Sequence, residues 1–113
     1  MVDEAYERGL GLARGGEWFA AHEAFEDAWR AADPAEKDFF QGLVHVVVAW
    51  YHAGVTGRRR ACESQLEKAA RRLEPFAPRH RGLDVAGILR SVAEAGGRFP
   101  DLPPVRFESA RIP

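Results

Sequence analysis

The chain has 113 residues, 46% hydrophobic and 29% charged, which describes an ordinary globular protein and excludes a disordered tail. Its only cysteine, Cys62, rules out an internal disulfide or a multi-cysteine zinc site and fits a reducing compartment. A net charge of −1 argues against general nucleic-acid binding, and the longest apolar run, "VVVAWY", is too short to cross a bilayer.

The opening "MVDEAYERGL" is acidic and amphipathic, without the basic start or apolar run of a signal peptide, so a cytoplasmic location is expected. Charge is unevenly spread. Residues 1–40 hold four Lys/Arg and ten Asp/Glu, whereas residues 41–83 hold eight and three. Solvated faces of different helices explain such a division, and it also suits self-association or an acidic ligand. There is no asparagine, one threonine and one methionine, and arginine far exceeds lysine. That choice fits a heat-adapted source, and a GC-rich genome biases codons the same way.

The pattern is helical nearly throughout. A first helix is predicted from about Val2 to Arg14, with Ala5, Leu10, Leu12 and Ala13 apolar, and "GG" at 15–16 ends it. A second runs from about Glu17 to Ala31. Asp33 then caps a third, Pro34 takes its first position and Glu36 completes a capping-box spacing. This third helix, about Pro34 to Gly54, is apolar around most of its circumference and belongs at the centre. After "GVTG", a fourth from about Arg58 to Leu73 buries Cys62, Leu66, Ala69 and Leu73. "EPFAPRHRG" reads as a loop. Asp84 caps a fifth helix with Val85, Ile88, Leu89 and Val92 inward, ending at "GG" 96–97. The proline-rich tail from about residue 99 is too broken for a helix and is anchored by Phe99, Leu102 and Val105. The expectation is one all-α domain over residues 1–113: a five-helix bundle or array with an extended tail packed on it.

Candidate site residues lie on the second and third helices. With Trp18 at 0° and about 100° per residue, Trp29 falls near about 20°, His22 near about 40° and Glu26 near about 80°. Glu23 and Asp27 face water. The apolar stripe is then Trp18, Ala21, Phe25 and Trp29, with His22 inside it. A ring nitrogen buried there needs a partner, because leaving it unsatisfied costs about 1–3 kcal/mol. Glu26, one turn on, is the local candidate. On the third helix Gln41, His45 and His52 form a narrow polar line, either a solvent-facing edge or a seam turned toward a neighbour. In the second case His22, Glu26, Gln41, His45 and His52 converge.

Three readings are open. His22 and Glu26 form a structural pair tying helices together, with Trp29 filling core. Alternatively, His22, Glu26 and His52 ligate a metal, although the H-x-x-x-E spacing matches neither the H-E-x-x-H of zincins nor the E-x-x-H of di-iron bundles. In the third, an organic ligand or acid–base pocket surrounds His22, Glu26, Trp29, Gln41 and His52. Partner binding through Arg58–Arg60 and the arginines at 71, 72, 79 and 81 is a further option. The sequence requires no cofactor, and no nucleophile elbow or phosphate loop is present. Trp18, Phe19, Trp50 and Tyr51 are more bulky aromatics than one small core easily hides, which favours a homo-oligomer or a non-enzymatic scaffold.

His22, Glu26 and Trp29 also carry a resemblance. The spacing His, three residues, Glu, two residues, Trp resembles the signature of the bacterial and archaeal all-helical proteins grouped as domain of unknown function 309. "GEWFAAHE" at 16–23, "FFQGLV" at 39–44, "AWYH" at 49–52 and "GLDV" at 82–85 are similar to its flanking motifs. The resemblance covers about Gly9 to Leu89. It implies a small multi-helical array, candidate status for the signature residues, and no reaction. His45 departs from the family, whose members more usually carry glutamine there, which counts against a metal role for it.

Overall fold

The computed structural model describes residues 1–110. Five helices follow in chain order: α1 (Val2–Arg14), α2 (Trp18–Ala31), α3 (Pro34–Tyr51), α4 (Arg59–Leu73) and α5 (Val85–Ala95). Between α3 and α4 the helix widens into a π-turn, His52–Thr56, which ends where Gly57 adopts φ +70°. A single 3-10 turn, Glu74–Phe76, follows α4. The segment read as a loop contains a small antiparallel hairpin, β1 (Arg79–His80) and β2 (Leu83–Asp84). Tertiary pairing makes this hairpin: β2 also bridges to Ser109 of the tail, so the strands form where chain ends meet rather than from local alternation. No described helix is long and apolar enough to cross a membrane.

The central helix is α3. Phe39, Phe40, Leu43, Val46 and Val47 have no exposed surface, and α2 and α4 pack on its two sides. One apolar cluster joins all five helices to Leu83, Val105 and Phe107. Close approach is allowed by two glycines. A Cβ at Gly9 of α1 would lie 2.5 Å from the Phe25 ring, and one at Gly42 of α3 would lie 2.6 Å from Leu73.

The helix ends differ from the expected capping in one place. Asp84 accepts from Gly87 N at 3.0 Å, as its position at the start of α5 predicts. Asp33 stands at the N-cap of α3 but its side chain makes no capping bond, so the predicted capping box is absent. Glu36, its supposed second half, is drawn away by Arg81 and His80.

The tail runs extended along the helices. Arg14 Nε donates to the Phe107 carbonyl at 2.8 Å, and Trp50 Nε1 to the Pro103 carbonyl at 3.0 Å. Val105 and Phe107 are its buried anchors, while Phe99 and Leu102 are only partly covered. The last three residues of the expected tail lie outside the described residues.

An aromatic cleft with two imidazoles

Because α2 and α3 are antiparallel, the start of α2 lies beside the end of α3. Trp18, Phe19 and His22 from α2 meet Val48 and Tyr51 from α3 and His52 from the π-turn, enclosing a cleft of about 190 Å³. The rings succeed one another around its wall. Phe19 lies 5.4 Å from His22 and 5.7 Å from Tyr51, and Tyr51 lies 6.0 Å from His52, all centroid to centroid.

The two imidazoles are held by opposite nitrogens. His22 Nε2 sits 3.3 Å from Glu26 Oε1. The other ring nitrogen, Nδ1, is buried without a partner. His52 Nδ1 lies 2.8 Å from Thr56 Oγ1, and that hydroxyl donates to the His52 carbonyl. Thr56 thus engages Nδ1 and leaves Nε2 as the nitrogen of the ring without a bond to that hydroxyl. Burial, then the nearby Arg58 charge, holds His52 below the usual histidine range, so its ring is neutral near pH 7. His52 and Thr56 are the first and last residues of the π-turn; such widened turns recur at functional sites.

The other predicted residues are placed elsewhere. Glu26 reaches the cleft only through His22, and its Oε1 also lies 3.9 Å from Arg30. Trp29 is seven residues beyond His22, about 10 Å along the axis, and packs where α2 turns into α3. There Lys37 Nζ sits 4.8 Å from its ring centroid and donates to its carbonyl at 2.6 Å. Gln41 is half-buried and does not line the cleft. It precedes His52 by about three turns, roughly 16 Å of rise. His45 leans the other way, onto α4, where Nδ1 pairs with Gln65 Oε1 at 2.7 Å and Nε2 is buried without a partner. The expected convergence of His22, Glu26, Gln41, His45 and His52 therefore does not form. The polar line runs between the two neighbouring helices, with Asp38 and His45 turned to α4 and His52 to the start of α2.

The apolar stripe of α2 is also rotated from expectation. Its buried residues are Ala21, Ala24, Phe25 and Ala28, and Trp18, His22 and Trp29 stand at the rim. Three alanines let α2 settle closely between its neighbours, which turns the large rings outward. Trp50, grouped with the surface aromatics, is 7% exposed and committed to the tail. Among the described residues no three His, Cys, Asp or Glu side chains form a group that could hold a metal ion, so His22, Glu26 and His52 do not make one.

A second polar cluster escaped the sequence reading. His80 Nε2 lies 2.9 Å from both Glu36 oxygens, Arg81 Nε donates to Glu36 at 2.6 Å and Arg81 NH1 to Asp3 at 2.9 Å. Arg81 is the only described non-glycine residue with positive φ (+49°), and its guanidinium lies over the Phe40 and Tyr6 rings. Burial acts to raise the Glu36 pKa, but the bonds from Arg81 and His80 outweigh it and hold the carboxyl below its usual range. Tyr6 donates to the Arg81 carbonyl, and burial, with the Glu7 charge, pushes its phenol up to about 12. Partners 44 to 78 residues apart leave no periodic trace. The only local hint was "RHRG", where glycine follows an arginine forced into a tight turn.

No curated protein and no solved structure matches the chain. The family model described as Domain of unknown function (DUF309) matches residues 6–63, over half the chain, including every residue that lines the cleft, and the chain belongs to that family.

Proposed function

We propose that the protein is a small-ligand binding module whose pocket is the cleft between the start of α2 and the end of α3. The ligand class is a single aromatic ring carrying a hydrogen-bond donor, such as a phenol or an azole. Cleft size supports this choice: an apolar cavity of about 150 Å³ accommodates benzene, and this one is about 190 Å³. Trp18, Phe19, Val48 and Tyr51 supply ring-stacking and apolar contact. The single observation carrying the reading is His52. Its Nδ1 is occupied by Thr56 and its ring is kept neutral; in the proposed tautomer Nδ1–H donates to Thr56, and Nε2 offers its lone pair to a donor on the ligand. Glu26 serves as the orienting group for the second imidazole, His22.

The test is a nuclear magnetic resonance titration of the full chain with phenol, and with benzene as the ring lacking a donor. Phenol shifts the ring protons of His52, His22 and Trp18 with millimolar affinity, and benzene binds more weakly. His52→Phe keeps the shape and removes the acceptor, so phenol affinity falls by about fivefold, the worth of one hydrogen bond, to that of benzene. Absence of shifts at these rings defeats the reading.

A further inference from the structure

Beyond the cleft's aromatic wall lies a second, open groove of about 350 Å³ lined by Gly16, Glu17, Trp18, Phe19, Tyr51 and Val55. The large hydrophobic side chains most exposed among the described residues are Met1, Val55 at 65% and Phe19 at 53%, and two of these three border this groove. The flanks differ in charge. α2 and α4 pack on opposite sides of α3 and scarcely touch each other. Glu17 and Glu23 are exposed on the α2 side and Arg58 and Arg60 on the α4 side. None of these four forms an ion pair among the described residues, although most of the neighbouring surface charges on α2 do.

An apolar centre with one acidic and one basic flank is self-complementary under a twofold rotation, which exchanges the flanks. We infer that this face docks a second copy of the chain. The twofold axis passes beside Phe19 and Val55, which pack against their own counterparts. The rotation then sets Glu17 and Glu23 against Arg58 of the partner subunit and Arg60 of the partner subunit. The rim charges set the orientation and the aromatic centre supplies the contact area. A different protein would need no such internal balance of charge; a second copy does. Trp50, the aromatic not available on the surface, takes no part.

Sedimentation equilibrium of the full chain from micromolar to millimolar concentration tests this. A dimer is expected. Val55→Glu places a charge at the centre and raises its dissociation constant by about tenfold or more, with the helical circular dichroism unchanged because Val55 is exposed. Glu17→Arg and Arg58→Glu each weaken the dimer, and the double reversal restores it. A monomer at every concentration, a dimer indifferent to Val55→Glu, or a double reversal no tighter than the single ones overturns the inference. The face shares Trp18, Phe19 and Tyr51 with the cleft but Val55 does not line it, so the phenol titration is repeated on Val55→Glu, where the cleft is read without the dimer, and the two proposals fail separately.

Discussion

His45 is a buried titratable ring on the central helix. It is 9% exposed, its Nδ1 is engaged by Gln65 and its Nε2 has no partner. Burial holds its pKa below 6.5; the Gln65 bond opposes that shift, and the Arg72, Lys68 and Arg71 charges reinforce it. In the unfolded chain the ring takes a proton at higher pH than in the fold. Stability is therefore complete above about pH 6.5 and declines as pH falls below it. Thermal melts between pH 7.5 and 5.5 should show this fall, and His45→Gln should flatten it. Glu36 acts in a lower window, since its depressed carboxyl stabilises the fold above about pH 4.5 and loses that contribution on further acidification. His22, Glu26 and Trp29 also stand in different surroundings. His22 lines the cleft, Glu26 holds its ring, and Trp29 stiffens the turn between α2 and α3 with Lys37. The His22–Glu26 pair was legible because residues four apart on one helix are neighbours by geometry. Trp29 and Gln41 were misplaced because an angle around an axis says nothing of distance along it.

Helix existence was legible almost everywhere. α1 has its predicted bounds, and Cys62, Leu66, Ala69 and Leu73 form the buried stripe read from α4. What periodicity did not reveal is how far a helix rotates when small residues let it approach its neighbours, as α2 does through its three alanines. The third helix was read to about Gly54, which takes in the first half of the π-turn as ordinary helix and leaves the rest, in "GVTG", between helices; its closing bond, Gly57 N to the His52 carbonyl, leaves no periodic trace. Two glycines on α1 give a sharp test. The Gly9 position faces the Phe25 ring at 2.5 Å, whereas nothing lies within 4 Å of a Cβ at Gly11. Gly9→Ala should destabilise by about 1–3 kcal/mol through overpacking. Gly11→Ala should stabilise by up to about 1 kcal/mol through helix propensity. Urea midpoints of the two variants, only half a turn apart, should move in opposite directions.

At the scale of the molecule, the family match ends at residue 63 and the "GLDV" motif lies outside it, yet the last third of the chain is fastened to the first helices at several points. The Asp3–Arg81–Glu36–His80 cluster pins the hairpin to α1 and α3, and β2 in turn holds Ser109 of the tail. Glu36→Ala leaves Arg81 and His80 without their shared acceptor and should cost about 1–3 kcal/mol. Hydrogen exchange should quicken first at the amides of Asp84 and Ala110, which donate between the hairpin and the tail, before it does in α3. These attachments join residues far apart in sequence, which is why the sequence yielded the helices and the tail but not the clasp between them.

The three tryptophans stand at three different seams: Trp18 on the wall of the cleft, Trp29 under Lys37 at the α2–α3 turn, and Trp50 bonded to the Pro103 carbonyl. Each indole therefore carries its own optical address. With the other two replaced by phenylalanine, Trp18 emission reports changes at the cleft, Trp29 the integrity of the helical hairpin, and Trp50 the lifting of the tail. The chain is labelled, without any added dye, for telling local loosening from global unfolding.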